Sequence, residues 1–394
     1  MATDQKNARK IERSDTGSGC PVHRRADGVW EIRSFAAARA VLRSQDTVQA
    51  GLGVETVDKM PASIRRPVLY RDGPEHREDR RQTARFFTPK RVAEHYLPIM
   101  HRVADEQIEK LRKAGEAELS ELSFHLAIEV ASAVIGLTES RPGLRQRLER
   151  FFPDEFGRPG FTSLHGLYWV YRQVTNWLGI YLSDVRPAIR ARRRQRRDDV
   201  ISHLLDEGCT AAEILGECIT FAAAGMVTTR EFVVAAAWHL FTDEELQARY
   251  REAEEPERHA VLQEILRLEP VVGNLRRRTT APVEIPDGDQ EVKIPAGEEV
   301  DIVVSATNTD ETAVGQDPLL VCPGRSLAKG ATPPVLSFGD GPHKCPGAHI
   351  AIAETDVFLS KLFAIPGVRM KKPPRVSFNE AISGYELRDF VVAV

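Results

Sequence analysis

The stretch from Thr210 to about Phe241 constrains the fold more than any other part of the chain. Thr210, Ala211, Ala212 and Glu213 read as a capping box, in which the hydroxyl and the carboxylate satisfy backbone N–H groups that a helix start leaves free. About thirty helical residues at 1.5 Å each make a rod of roughly 45 Å. Its middle, CITFAAAGMVTTREFVVAAAW, is apolar on nearly every face, and such a helix belongs inside a core. A second capping box is expected at Thr242, Asp243, Glu244 and Glu245.

Around this rod the chain reads as mainly helical with small strand pairs. Gly28 to Phe35 alternates as a strand, and a short helix follows it. From Val271 to Val304 the texture is β-branched, broken by turns at Pro286 to Asp289 and Pro295 to Gly297. The last residues read as a hairpin with Ser383, Gly384 and Tyr385 at its tip. The pattern is α+β, mainly helical with segregated small sheets, and is expected as a single domain over 1–394 with 1–25 a flexible N-terminal segment.

Composition narrows the function. Of 394 residues, 42% are apolar and 28% charged, an ordinary globular balance. With 54 basic and 57 acidic side chains the net charge is -3, so no global field draws the protein to nucleic acid or anionic lipid. The first thirty residues carry neither a signal-peptide core nor a membrane span, which points to the cytoplasm and no membrane partner. Five scattered cysteines form neither a disulfide framework nor a paired zinc spacing. The outlier is Arg190 to Arg197, six arginines in eight residues, readable as a solvated face or as a dock for an anionic or carrier-bound substrate.

The sharpest signal is SFGDGPHKCPGAHIAIAE, where Phe338, Gly341, His343, Cys345 and Gly347 fit FxxGxHxCxG. A glycine-rich loop delivers Cys345 just before a helix, whose free N–H groups favour a thiolate and should lower the thiol pKa. A thiolate is a soft metal ligand, and the small residues around it let a large flat group approach the backbone.

With that loop the chain resembles the cytochrome P450 family of haem-thiolate proteins. The resemblance implies haem b as cofactor, with Cys345 as the iron ligand and Phe338 and Gly347 against the macrocycle. Glu264 and Arg267, in an ExxR spacing, with Arg325 resemble the family's buried triad that supports the cysteine loop. In RDGPEHREDRRQ, His76 and Arg80 match positions that bind the haem propionates, as does His343. In NLRRRTT the matching arginine is Arg277 by counting back from Val283 and Glu284, with Arg276 and Arg278 left open.

Ala224 to Thr229 match the family's AGx(D/E)TT except that Val227 stands where an acid is usual. The resemblance makes Thr228 the hydroxyl that handles protons and Gly225 the point where the helix opens; Glu231, one turn past Val227 on the same face, reads either as a substitute acid or as a solvated or salt-bridged carboxylate. It also implies a pocket lined by 47–69 and by Ala223, Met226, Val272, Asn274 and Tyr385, for a small apolar organic molecule of the natural-product kind. The implied activity is monooxygenation by a monomer fed electrons by a separate ferredoxin, which Lys344, Lys90 and Arg91 would meet. Two rival readings are a peroxide-using or radical-coupling haem enzyme, motivated by Val227, and a non-catalytic haem carrier or sensor.

Overall fold

The computed structural model describes residues 8–11, 19–57, 64–151, 160, 162–288, 290–379 and 384–394. The central rod is one unbroken helix, Ala211–Thr242. Its first turn carries the capping box in full, Thr210 accepting from the Glu213 N–H and Glu213 from that of Thr210. The second box does not form: Asp243, not Thr242, caps the next helix by accepting from the Leu246 N–H at 2.9 Å. Thr242 bonds back to Trp238 instead.

The rod is long and apolar enough to cross a membrane by length and composition. Its second half is nonetheless the centre of this fold, with Phe232 to Ala237 at most 2% exposed. The helices Leu119–Ile135, Glu255–Leu268 and Ala348–Phe363 pack around it. Between Ala223 and Val227 the rod widens into a π turn. An inserted π turn rotates the phase of every side chain beyond it.

A five-stranded sheet lies to one side, in the order Val22–Arg24, Trp30–Ile32, Glu299–Val303, Asn274–Thr279, Thr47–Ala50. Trp30–Ile32 runs parallel to Glu299–Val303, and the other pairs are antiparallel. Arg277 stands opposite Gln49 in this ladder. Because side chains alternate along a strand, Arg277 and Asn274 point to opposite faces. The sheet covers its own apolar core, separate from the larger one around the rod. Hairpins pair Val283–Asp287 with Gln290–Ile294 and Arg375–Asn379 with Gly384–Arg388; the second differs from expectation in that Gly384 and Tyr385 are strand residues opposite Asn379 and Phe378 and not its tip, while Ser383 lies outside the described residues.

Two expectations need correction. The start of the chain is anchored in part: Ile11 is buried, the Lys10 N–H donates to Glu269, and Val22–Arg24 is the edge strand. The arginine run is not one solvated face. Arg192 is buried between Asp199 and Glu139, Arg196 pairs with Asp206 and Arg197 with Glu139, while Arg190, Arg193 and Arg194 are exposed.

Candidate functional site

Cys345 is held by its own loop. Its N–H donates to the Phe338 carbonyl at 2.8 Å, closing the turn that presents the sulfur. Gly341, at φ +66°, passes so near the Leu42 carbonyl that any Cβ would collide with it. Asp340 accepts from the Gly341 N–H and pairs with Arg43 at 2.8 Å and Arg39 at 3.3 Å, tying the loop to the Phe35–Arg43 helix. A Cβ on Gly347 would stand 3.9 Å from the sulfur. Burial pushes the Cys345 thiol up, while the Gly347 N–H, Arg80 and Lys344 pull it down. The expectation of a lowered thiol pKa is therefore corrected for the protein alone, because burial outweighs the helix start. A cation at the sulfur would reverse the balance.

Behind the loop, Arg267 grips Glu264 through two bonds of 2.8 and 2.7 Å, and Arg325 adds a third at 3.0 Å. All three residues are buried or nearly so, and the arginines spend their remaining donors on carbonyls from Asn308 to Leu320. Asn308, which carries no motif, links this triad to the cysteine loop. Its amide donates to the Arg267 carbonyl at 3.0 Å and to Ser337 at 2.8 Å, and its oxygen accepts from the Leu336 N–H.

Four cationic or imidazole groups converge beside the loop. His76 and His343 stack with ring centroids 4.0 Å apart. His343 Nε2 is 2.8 Å from Asp72 Oδ1, and Asp72 also accepts from the Gln49 N–H. Arg80 donates to the Lys344 carbonyl. Arg277 is 4% exposed and bonds only Gln49 Oε1 and its own neighbour's carbonyl among the described residues, while Arg276 and Arg278 lie on the far face near Glu299. Burial pushes Arg277 down to about 10 and His76 down to about 4, and His76 Nδ1 is buried without a partner.

On the rod, Ala224 is exposed although Ala222, Met226 and Val227 around it are buried. The rod therefore opens onto a space on that side, and Thr228, one turn on, shares the face. The Thr228 hydroxyl donates to the Ala224 carbonyl at 2.6 Å.

The cytochrome P450 family model matches residues 181–365. Nocardicin C N-oxygenase of Nocardia uniformis is 29% identical over 91% of this chain and 85% of its own length. Erythromycin C-12 hydroxylase of Saccharopolyspora erythraea is 28% identical over 87% and 83%. The crystal structure of CYP109E1 from Bacillus megaterium with corticosterone superposes with a TM-score of 0.77 at 21% identity, covering 95% of this chain and 94% of that one. P450BioI bound to an acyl carrier protein carrying hexadec-9Z-enoic acid gives 0.77 at 21%, covering 95% of each.

The chain belongs to the cytochrome P450 family. It is a cytochrome P450 monooxygenase whose cofactor is haem b. The residues present fit that cofactor: a buried arginine without a carboxylate partner and an orphaned imidazole nitrogen are costly in a folded protein unless an anion meets them. Haem brings two carboxylates. His76, Arg80, Arg277 and His343 could hold them, Cys345 could hold the iron, and Phe338 and Gly347 flank the sulfur.

Several expected P450 site residues are placed elsewhere. Glu231 is fully buried, accepting from the Leu387 N–H, Arg388 and Arg230, so it fastens the rod to the last hairpin and is no free acid. Met226, inside the π turn, is 1% exposed and packs in the larger core. Tyr385 is 0% exposed and donates to the Glu269 carbonyl at 3.0 Å. Asn274 donates to Asp301 at 2.9 Å on the face away from Arg277. Arg91 is taken by Asp198 at 2.7 Å, leaving Lys344 and Lys90 exposed. Ala223 and Val272 remain partly exposed. Gly225 lies inside the π turn, where a Cβ would meet Ala131 at an ordinary 3.7 Å, so packing against the helix of Ala131 does not require a glycine there.

Proposed function

We propose that this P450, one haem-bearing domain over 1–394 and a cytoplasmic monomer, inserts oxygen into a small apolar organic molecule of the natural-product kind, with electrons from a separate ferredoxin. The observation that carries the reading is the set of His76, Arg80, Arg277 and His343 beside Cys345, in which His76 and Arg277 are buried and Arg80 and His343 partly so, with Ala224 and Thr228 on a rod face that is open. The similarity to the nocardicin and erythromycin enzymes supports the substrate class. When bound, haem supplies the redox chemistry that activates oxygen, tuned by its thiolate ligand.

The chain's own residues do the rest. Arg277, a buried cation, would neutralise one of the cofactor's carboxylates, and His76, an uncharged imidazole near neutral pH, would donate a hydrogen bond to one. The triad and Asn308 hold the Cys345 loop rigid from behind. Thr228 spends its proton on the Ala224 carbonyl, so its oxygen is left to accept, and it can orient a water in the space beside Ala224. Val227 carries no proton and Glu231 is fully engaged, so protons reach Thr228 through water that enters with or around the substrate. A Thr228→Ala variant of the holoenzyme should consume reductant without matching product; coupling equal to wild type would remove Thr228 from proton delivery.

The same Val227 favours a second reading, in which hydrogen peroxide replaces oxygen and reductant, since peroxide brings its own protons. Turnover with peroxide alone that matches the full electron-transfer system would establish it.

A further inference from the structure

Glu217 sits on the rod three turns before Thr228 and is 5% exposed. Its Oε1 accepts from the Val68 N–H at 2.8 Å and from Arg71 Nη2 at 3.3 Å. Oε2 is buried without a partner. One turn earlier Glu213 accepts from the Arg65 N–H at 2.9 Å. Two rod carboxylates thus hold the backbone and an arginine of the 64–71 segment. Pro67 closes against Gly216, where a Cβ would stand 3.4 Å from its ring. The far side of the segment is pinned by Asp79 of the Gly73–Thr83 helix, which pairs with both Arg65 and Arg71. The segment leads directly into Asp72, the partner of His343.

We infer that Glu217 is a positioning residue that latches segment 64–71 to the central rod. The latch is beyond the reaction proposed above and does not depend on it. The charged and titratable groups facing it are Arg65 and Arg71 from the segment, Asp79 from the Gly73–Thr83 helix, Glu213 and Cys218 from the rod, and Cys209, which accepts from Arg65 at 3.2 Å. Burial outweighs the two arginines and the Val68 N–H and raises the Glu217 carboxyl from 4.5 to about 7.

The sign follows from linkage. Closed, the latch holds its proton up to about pH 7; swung open, Glu217 meets water and returns toward 4.5. The closed form therefore binds more protons, and rising pH favours opening. With those two values the open population should grow about tenfold between about pH 6 and about pH 8.

The test is amide hydrogen exchange on the haem-loaded protein, corrected for intrinsic rates, because local opening sets the protection of Val68. Protection of a 64–72 peptide should fall about tenfold over that pH range while a 97–114 peptide stays level, and Glu217→Gln should flatten the 64–72 response. A pH-independent 64–72 peptide, a fall shared by 97–114, or an unchanged slope in the Gln variant would each overturn the latch. Should Gln at 217 prevent folding, the comparison of the two wild-type peptides still decides.

Discussion

The His343 imidazole lies 2.8 Å from the Asp72 carboxylate, so the residue two before the candidate iron ligand is oriented by the residue that starts the Gly73–Thr83 helix. Arg277 and the Gln49 N–H face the same carboxylate, which the His343 hydrogen bond, above all, holds below its usual range against the cost of burial. Asp72→Ala should free His343 and loosen the haem cradle. A charge-assisted hydrogen bond of this kind contributes about 1.5–3 kcal/mol, so haem transfer to an excess of apomyoglobin should speed up by roughly tenfold or more.

Arg277 gives a pair of opposed effects. Its charge is buried without a carboxylate within ion-pair reach among the described residues, so Arg277→Met should leave the haem-free protein as stable or more so. The same change should weaken haem retention by roughly tenfold or more, because a propionate then loses its buried partner. Thermal melts of the haem-free form and haem-transfer rates of the loaded form measure the two independently.

Glu264→Gln should be costly everywhere. It removes the charge that pairs Arg267 and Arg325 and leaves two buried guanidinium groups facing carbonyls alone. Breaking such a pair costs about 3–5 kcal/mol, visible as a lower urea midpoint and poor haem incorporation.

Much of this was legible in the sequence because it is local in the chain. The cysteine loop and the ExxR helix place their functional atoms within a few residues, and the structure brings them together where their spacing implied. Asn274, Met226, Glu231 and Tyr385 were not legible, because their roles depend on side-chain direction. Asn274 follows strand parity with Arg276 and not Arg277, and Met226 lies in a π turn that no residue type announces. Asn308 and Gln49 act across long sequence separations and carry no motif.

Glu354 supplies a pH test away from the haem cradle. It is 2% exposed, Oε1 has no partner, and burial raises the carboxyl from 4.5 to about 8. The folded state keeps a proton that the unfolded chain has lost, so this contribution to stability is full below about pH 4.5 and disappears as pH rises through about 8. Wild type should lose melting temperature relative to Glu354→Gln between about pH 6 and about pH 9. Parallel curves for the two proteins would show that Glu354 does not titrate in this range.

The central claim is that the Cys345 sulfur is the iron ligand, and the reduced, carbon monoxide-bound absorption spectrum of the haem-loaded protein tests it most directly. Wild type should show the long-wavelength Soret band of a thiolate-ligated haem, and Cys345→His should lose that band while keeping pigment. The same long-wavelength band in Cys345→His would contradict the account.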